Sequence, residues 1–351
     1  MSSIFPSDAQ HEKTRITQER GQPAREFRVL QHADEPSALP FAMNLENVNA
    51  LITGGSQGLG KVIAEHFLRD GANAVICARG EKELSATRDE LAKKFPARKL
   101  FAKTCDVSNE KQVNDLVSFA LRELGSLQAL VLNAGVYGPM GPTESVSLDE
   151  WRRAIDINLF GVLLPCRAVI PYFKSGSSRG NEAQIKTGNE MEPPHVGGCK
   201  KIIILSGGGA TNPLPNISSY AASKVAVVRL AETLAEELKP FRVDVNAIAP
   251  GALKTRFVEQ VLEAGPEKAG KEFFAKNKKW AEEGAVPLEL GARLAVYLAS
   301  VESNGITGKL ISAQWDPWEK LHEFKADLNS DIYTLRRIVP KDRGKMWGNK
   351  Q

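Results

Sequence analysis

Short apolar runs alternate with longer amphipathic stretches along most of the chain from Asn47 onward. An apolar run of about 4–8 residues predicts a buried strand, and the longer stretches have the spacing of helices. Strands are predicted at 48–53, 74–78, 100–105, 129–132, 201–205, 243–248 and 308–311. Helices are predicted near 60–70, 81–95, 109–124, 149–173, 218–239 and 288–300. This alternation is typical of βαβ units, and predicts a Rossmann-like, doubly wound α/β fold with about seven parallel strands and helices on both faces.

Four segments depart from this alternation. Residues 1–45 are polar with mixed charge and no periodicity, which predicts an arm. Residues 175–199 are rich in Gly, Ser, Pro and Asn, and predict a surface insertion between a helix and a strand. Residues 253–287 separate the sixth and seventh strands and are long enough for a helical lid. When residues 313–351 are set aside as a C-terminal extension, 46–312 form one α/β domain.

The extension is unusually aromatic for a tail. It holds three of the five tryptophans of the chain, Trp315, Trp318 and Trp347. Disordered tails are poor in aromatic residues because they cannot bury them, so we expect this segment to pack. It can pack on the lid of its own subunit, elsewhere on its own surface, or on a neighbouring subunit.

Composition and charge argue against several classes of function. The 351 residues carry a net charge of +4 and no dense run of Lys and Arg, so no nucleic-acid partner is expected. The sequence shows no stretch of about 18 uncharged apolar residues, so no membrane span is expected. The cysteines form no CxxC pair and the histidines no HxxxH pair, which predicts neither a metal site nor a disulfide framework. These features favour a soluble protein of the reducing cytoplasm.

A glycine-rich loop, Thr53-Gly-Gly-Ser-Gln-Gly-Leu-Gly60, follows the first predicted strand and opens the first helix. Its glycines permit a tight turn and a close approach of the backbone to a pyrophosphate, and the helix N-terminus offers free N–H groups. The spacing is neither GxGxxG nor that of a Walker loop, but the strand–turn–helix context predicts a dinucleotide site. The loop residues expected to contact the cofactor are Thr53, Gly54, Ser56, Gln57, Gly58, Leu59 and Gly60.

The same loop permits a different interpretation. Residues 54–58 match GxSxG, the nucleophile elbow of α/β hydrolases, with Ser56 as the nucleophile. That fold places several strands before the nucleophile strand and a histidine after it. Here only the polar arm precedes the first strand. Of the downstream histidines, His66 falls in the first predicted helix, and His195 and His322 fall in the insertion and the extension. The hydrolase is therefore a remote alternative.

The end of the second strand indicates the cofactor. An NAD site of this kind usually carries an acidic residue about 20 positions after the glycine loop, where it holds the ribose 2′-hydroxyl. Ala78 and Arg79 occupy that place instead. A guanidinium is suited to bidentate contact with a 2′-phosphate, so we expect NADP(H) to be preferred, with NAD(H) still possible.

Polar residues also follow the third and fourth strands. Asp106-Val107 and Asn133-Ala134-Gly135 lie at carboxyl ends of strands, where open α/β sheets bind ligands. Asp106 suits a hydrogen bond to an adenine amino group, and the second set suits a backbone that passes close to the cofactor ribose. Both sets are equally compatible with turns.

The candidate chemistry lies in Ser206 and in Tyr220-Ala-Ala-Ser-Lys224. Tyr220 and Lys224 are four residues apart on a predicted helix, so they share one face. An ammonium near a phenol favours the phenolate, and we expect it to lower the pKa of Tyr220 from about 10. Such a tyrosine can pass a proton to or from a substrate oxygen, and Ser206, at the end of the fifth strand, can hydrogen-bond the same oxygen.

Taken in order, these motifs resemble those of the short-chain dehydrogenase/reductase family. The matching elements are the TGxxxGxG loop, Asn133-Ala-Gly135, the Ser206 and Tyr220-x3-Lys224 set, and Pro250-Gly251 with Thr255 beyond it. The resemblance covers about residues 46–312. The sequence departs from the family pattern after the last predicted strand. There, Ala-Gln-Trp-Asp-Pro-Trp318 replaces the VDGG-like ending of the family.

The resemblance implies a role for each of these residues. It implies that Tyr220 is the acid/base, that Ser206 is its partner on the carbonyl oxygen, and that Lys224 tunes Tyr220 and anchors the nicotinamide ribose. Asn158 matches the helix asparagine that holds a water in the family's proton relay. Thr255 matches the residue that contacts the nicotinamide carboxamide, and Pro250-Gly251 also belong to the cofactor site.

The implied function is hydride transfer from NADPH to a small-molecule ketone or aldehyde, or the reverse oxidation of a secondary alcohol. An NAD-linked alcohol or sugar dehydrogenase is the nearer alternative. Because members of the family are usually dimers or tetramers and aromatic residues are favoured at interface cores, we expect the extension to cross onto a neighbour in a homodimer or homotetramer. Five lid lysines suit an acidic substrate or, more commonly, a solvated helix face: Lys268, Lys271, Lys276, Lys278 and Lys279.

Overall fold

The computed structural model describes residues 43–182, 199–253 and 255–345. The arm up to residue 42, most of the predicted insertion, and Trp347 lie outside these ranges. The compact unit begins at Met43, and Leu45 is fully buried in its core, with its N–H donating to the Asp70 carbonyl at 2.8 Å. The arm predicted for residues 1–45 therefore ends earlier than its polar composition indicated, because Leu45 packs on the sheet domain.

Seven parallel strands form a single sheet in the described part of the chain. They are β1 (Asn49–Thr53), β2 (Asn73–Ala78), β3 (Leu100–Thr104), β4 (Ala129–Leu132), β5 (Lys200–Leu205), β6 (Val243–Ala249) and β7 (Leu310–Ser312). Their order is β3-β2-β1-β4-β5-β6-β7. Each predicted strand is present, and the order reverses between β1 and β4, which is where a doubly wound sheet opens a ligand crevice.

Helices cover both faces of this sheet. They are α1 (Gly58–Arg69), α2 (Glu81–Lys94), α3 (Glu110–Leu124), α4 (Leu148–Ile155), α5 (Gly161–Glu182), α6 (Ser218–Leu238), α7 (Arg256–Ala269), α8 (Lys271–Glu283) and α9 (Leu288–Ala299). One core layer, with Phe67 and Tyr297, lies under α1 and α9. The other, with Phe173 and Val227, lies under α3, α5 and α6. The Rossmann-like, doubly wound fold is confirmed.

The predicted helix at 149–173 is interrupted in its middle. A π-helical turn, Asp156–Phe160, joins α4 to α5 and carries the buried Asn158. Such turns are frequent at functional sites. Helix α5 then continues to Glu182, so the first part of the predicted insertion is helical, because extending a formed helix costs less than starting a new one.

The stretch Leu148–Ser175 has the length and apolar composition of a helix that could cross a membrane, and is the one such stretch among the described residues. The core helix of a soluble protein passes the same test, so this is weak evidence. Val162, Cys166, Val169 and Phe173 recur every three or four residues and are buried in the sheet layer. That spacing is the pattern of a helix packed on a core.

The segment predicted as a lid consists of α7 and α8. Gly265, at φ 75°, kinks α7, and Gly270, at φ 86°, separates the two helices. All five lid lysines are exposed, and those at Lys278 and Lys279 pair with glutamates one turn further along α8. This is the pattern of a solvated helix face, and it does not support the acidic-substrate interpretation.

The extension packs on its own subunit through Trp318. This side chain is 1% exposed, and its indole N–H donates to the Ala313 carbonyl at 3.1 Å. Its ring centroid lies 5.9 Å from that of Tyr297 on α9. The first part of the extension is therefore continuous with the core of the domain.

The extension then passes the outer edge of the sheet. The N–H of Leu310 in β7 donates to the Tyr333 carbonyl at 2.8 Å, and the N–H of Leu335 donates to the Glu232 carboxylate on α6 at 2.6 Å. Tyr333 packs on the core layer of α9 and Leu335 on that of α6. The extension thus covers the edge strand, which would otherwise offer unpaired backbone groups to another chain.

Trp318→Ala is expected to lower the free energy of unfolding by about 3–5 kcal/mol, because it removes a buried ring from the core. Val301→Ala is the control: this side chain, just after α9, is 64% exposed, and its truncation is expected to change stability by about 0.5 kcal/mol or less. Urea unfolding followed by circular dichroism measures both. Equal losses in the two variants would contradict the core role of Trp318.

Candidate functional site

The predicted site residues gather at the carboxyl edge of the sheet. The glycine loop follows β1, Asn133–Gly135 follow β4, Ser206 follows β5, and Pro250-Gly251 follow β6. Parallel strands end at one edge, so the fold brings these four segments together although they are far apart in sequence. The reversal of strand order between β1 and β4 leaves a crevice there.

The glycine loop requires its glycines. Gly54 and Gly58 have φ values of 66° and 55°, which L side chains rarely adopt. A Cβ on Gly60 would overlap the Gly54 carbonyl, so only glycine lets α1 begin this close to the end of β1. A Cβ on Gly58 would be in ordinary van der Waals contact with the Thr255 methyl, at 3.7 Å, so the constraint at this position is the backbone conformation.

The N-terminus of α1 is not capped by the side chain of its N-cap residue. Gln57 makes no side-chain capping hydrogen bond, and the first turn of this described helix contains no acidic residue. The first N–H groups of a helix carry the positive end of its dipole and need partners. Ser56 is held by its carbonyl, which accepts from the Thr87 hydroxyl at 2.7 Å, and Leu59 is buried in the core.

Asn133 and Thr53 fasten this loop to the neighbouring strand. The Asn133 amide donates to the carbonyls of Thr53 and Gly54, both at 3.1 Å. The Thr53 hydroxyl accepts from the N–H groups of Asn133 and Ala134, at 3.0 and 3.2 Å. Thr53 is fully buried, so its side chain supports the loop from behind.

Ser206, Tyr220 and Lys224 are buried together beside β5. The Lys224 Nζ donates to the Leu205 carbonyl at 2.8 Å and lies 5.5 Å from the centroid of the Tyr220 ring. The Ser206 hydroxyl donates to the Lys224 carbonyl at 3.3 Å. The Tyr220 hydroxyl lies against Gly207, where a Cβ would overlap it. Glycine next to Ser206 thus lets the tyrosine hydroxyl approach the end of β5.

Asn158 reaches this cluster from the π-helical turn. Its Oδ1 accepts from the Val136 N–H and its Nδ2 donates to the Val136 carbonyl, both at 2.8 Å. Nδ2 also donates to Ser223 Oγ at 3.0 Å, and Ser223 Oγ donates to the Tyr220 carbonyl at 2.7 Å. A Cβ on Gly135 would lie 3.3 Å from Asn158 Oδ1 and 3.7 Å from the lysine Nζ. Sequence reasoning missed Ser223, whose only signal is its place on the tyrosine's helix.

Burial controls the protonation of the cluster. Burial lowers the pKa of Lys224 to about 8. Burial, with a smaller effect of the neighbouring Tyr137, raises the pKa of Tyr220 well above its ordinary value. The sequence-based expectation of a lowered Tyr220 pKa is therefore wrong for the protein alone. A phenol removed from water favours its neutral form, and burial weakens the charge of the lysine that would oppose this.

Arg79 and Asp106 follow β2 and β3, which are neighbouring strands. Arg79 is exposed. Burial raises the pKa of Asp106, but hydrogen bonds from the Ser108 hydroxyl and N–H, together with the charge of Arg79, outweigh it and leave the pKa lowered. Those bonds reach Asp106 Oδ1 at 2.7 and 3.0 Å. Val107 is buried, whereas Asp106 is only partly buried.

The segment after β6 leads into the lid. Gly251 has φ 91°, and a Cβ there would lie 3.1 Å from Val286 and 3.2 Å from Gln314. Thr255 is the N-cap of α7 and accepts from the Phe257 N–H at 3.3 Å. The Thr255 methyl also lies close to Gly58. The start of the lid at Thr255 is therefore next to the glycine loop.

An aromatic cluster next to Tyr220 was missed from the sequence. The ring centroid of Tyr137 lies 4.8 Å from that of Tyr220, 4.4 Å from Phe257 and 6.2 Å from Phe273. The available signal was an aromatic residue just after Asn133-Ala-Gly135 and two more on the lid. Only the fold shows that they meet.

Most of the α/β domain matches known proteins. Residues 48–265 match the model of the short chain dehydrogenase family. The chain is 33% identical to glucose 1-dehydrogenase of Gluconobacter oxydans (strain 621H) over 216 aligned residues. The alignment covers 62% of this chain and 73% of that protein. Its fold matches the NADPH-bound short chain oxidoreductase of Pseudomonas aeruginosa PAO1, with TM-score 0.64 and 27% identity over 78% of this chain and 99% of that one. It also matches 3-ketoacyl-(acyl-carrier-protein) reductase of Brucella melitensis complexed with NADH, with TM-score 0.63 and 28% identity over 77% and 97%.

The lowered pKa of Lys224 predicts a pH dependence of stability. Its pKa of about 8 in the folded chain lies below the ordinary 10.5, so the unfolded chain holds this proton more tightly. The free energy of unfolding should therefore rise as pH increases between these two values, and the penalty is full below the lower one. The raised pKa of Tyr220 acts in the opposite direction, but only above about pH 10.

Urea unfolding at about pH 7 and about pH 9.5 isolates the lysine effect. We expect Lys224→Met to show a smaller rise than the wild type, and Lys271→Met, which replaces an exposed lid lysine, to keep the full rise. An unchanged rise in Lys224→Met would contradict the assignment.

Proposed function

Because the chain belongs to the short-chain dehydrogenase family, we propose that this NAD(P)-dependent oxidoreductase reduces a small-molecule ketone or aldehyde with NADPH, or oxidises the corresponding secondary alcohol. The observation that carries the proposal is the buried set of Ser206, Tyr220 and Lys224 at the same edge of the sheet as the glycine loop. Oxidoreductase action on CH–OH or C=O groups follows from the family; the substrate, the cofactor preference and the residue roles are proposed.

The glycine loop fits a dinucleotide. The turn at Gly54 and Gly58, whose positive φ values bring backbone rather than side chains to its surface, and the N–H groups at the start of α1 suit a pyrophosphate. We assign cofactor contacts to Gly54, Ser56, Gln57 and Gly60 of this loop, chiefly through their backbone. When bound, the nicotinamide donates or accepts the hydride at the substrate carbon. The remaining proposed contacts are Leu59 through its backbone, Thr53 in support, Arg79, Asp106, Val107, Asn133, Ala134, Gly135, Pro250, Gly251 and Thr255.

Ser206 and Tyr220 are proposed to hold the substrate oxygen. During reduction, negative charge develops on that oxygen, and the Tyr220 hydroxyl donates its proton there. The burial that raises the tyrosine pKa keeps the phenol protonated before the reaction. Lys224, with a pKa of about 8, can return a proton to Tyr220 near neutral pH. Asn158, adjacent to the lysine across Gly135, is proposed to hold the water of this relay.

NAD-linked oxidation of an alcohol or a sugar is the second candidate. It is favoured by the exposure of Arg79 and by Asp106 at the end of the neighbouring strand, because that carboxylate is attracted to the guanidinium and repels a 2′-phosphate. The hydrolase alternative is set aside by the family. Ser56 serves the loop through its carbonyl rather than as a nucleophile.

We also propose a cytoplasmic location and a homodimer or homotetramer. The structure describes all four cysteines of the chain, and each is a free thiol, which suits a reducing compartment. Trp315 and Ile338 on the extension are 69% and 60% exposed. Large apolar side chains at the surface support a contact with another subunit.

Tyr220→Phe tests the acid/base assignment. Loss of the hydroxyl removes the proton donor, so kcat should fall by about 10²–10⁴-fold while NADPH binding persists. Tyr297→Phe removes a buried hydroxyl next to Trp318 instead, and should retain wild-type turnover. Absorbance of NADPH follows turnover, and its fluorescence follows binding. A Tyr220→Phe protein that keeps more than about a tenth of wild-type kcat would contradict the role.

Arg79→Ala tests the cofactor preference. A charge-assisted bidentate contact is worth about 1.5–3 kcal/mol, so the ratio of kcat/KM for NADPH to that for NADH should drop by roughly 10- to 150-fold. Arg122→Ala, at an exposed site on α3, is the control and should keep the ratio. Equal kcat/KM values for the two cofactors in the wild type would favour the NAD-linked candidate.

A further inference from the structure

Three aromatic rings from separate segments form a cluster next to Tyr220, the proposed acid/base. Tyr137 follows β4, Phe257 lies on α7 and Phe273 on α8. The Tyr137 ring meets the Tyr220 ring edge-on at 75° and the Phe257 ring at 38°, and Phe273 meets Tyr137 at 79°. Phe257 also lies 6.3 Å from Tyr220. We call Tyr137, Phe257 and Phe273 the aromatic clamp.

Tyr137 is fixed on both sides by the catalytic region. The backbone of Val136 is held at both its N–H and its carbonyl by Asn158. On the other side, Gly138 has φ 74°, and a Cβ there would lie 2.6 Å from Ala154 and 2.7 Å from Ser219 Oγ. The Ser219 hydroxyl donates to the Tyr137 carbonyl at 3.4 Å. The ring is therefore placed by the same contacts that place the proposed proton relay.

The lid presents apolar rings toward Tyr137 and charged side chains toward solvent. Phe257 and Phe273 reach Tyr137, whereas the lid lysines are exposed. All three clamp rings are only partly buried, although Tyr220 beside them is 8% exposed. Each ring of the clamp therefore keeps some exposed surface, and aromatic surface of this kind is what a planar ligand ring packs on.

We propose that the aromatic clamp selects carbonyl substrates built on a flat apolar ring and rejects polyhydroxylated sugars. The inference rests on the proposed carbonyl reduction at Tyr220. A planar ring packs on aromatic side chains with a geometry-dependent gain beyond its buried area. A sugar brought against the same rings gives up hydrogen bonds to water, and the rings offer its hydroxyl groups few partners in return.

Substrate selectivity tests the clamp with three ketones. With NADPH, we expect the wild type to show a kcat/KM for 2-tetralone at least about 100-fold above that for D-fructose, with the latter calculated on its open-chain keto form, since only that form carries the carbonyl. The second quantity is the ratio of kcat/KM for 2-tetralone to that for butan-2-one, which lacks a ring. Phe257→Leu and Phe273→Leu keep an apolar side chain but lose the ring, and each should lower this ratio about 3- to 10-fold. Phe324→Leu, on the extension and 45% exposed, should leave it unchanged.

Binding of 2-naphthol, a flat ring without a carbonyl, tests the clamp without turnover. Calorimetry on the full chain should show saturable binding to the wild type, weakened about 3- to 10-fold in Phe257→Leu and unchanged in Phe324→Leu. Binding that depends on Phe257 in a protein that reduces no ketone would support the clamp and overturn the proposed reduction. Equal rates on 2-tetralone and D-fructose, or leucine variants that keep the wild-type selectivity, would overturn the clamp and leave the reduction standing. Absence of both turnover and binding would overturn both.

Discussion

The close contact between the end of β1 and the start of α1 is the constraint on which the site depends. Gly60 packs on the Gly54 carbonyl with no room for a Cβ, and the Asn133 amide holds the same turn to the end of β4. These contacts bring two strands and one helix N-terminus to one point. The position of the glycine loop next to β1 and β4 is therefore fixed, and the segments after β5 and β6 lie at the same edge of the sheet.

Burial determines the chemistry that this crevice can perform. Tyr220 and Lys224 are both removed from water, so each is displaced toward its neutral form: the tyrosine pKa rises and the lysine pKa falls. A neutral phenol is suited to donate a proton to an oxygen that gains negative charge. The same burial carries a cost in stability, and the hydrogen bonds of Asn158 and Ser223 around the tyrosine helix help to offset it.

The extension and the lid both add apolar contacts to the domain. The extension covers the β7 edge and inserts Trp318 beside α9, the helix that also packs near the glycine loop through Gly291 and Leu59. The lid places aromatic rings toward Tyr220 and lysines toward solvent. The extension and the lid therefore each have an apolar side that packs on the domain. The domain itself follows the order of elements expected from the βαβ pattern.

Residue patterns alone predict the strands, most helices, the glycine loop and the Ser206, Tyr220 and Lys224 set, because apolar runs, glycine spacing and an i, i+4 pair are properties of neighbouring residues. The π-helical turn at Asn158 and the burial of Leu45 are not evident from such patterns, since neither leaves a local pattern. Only the packed fold shows the direction of the Tyr220 pKa shift and the contact of Tyr137 with Phe257 and Phe273. Both depend on which distant residues exclude water from one place, and a linear pattern does not record that.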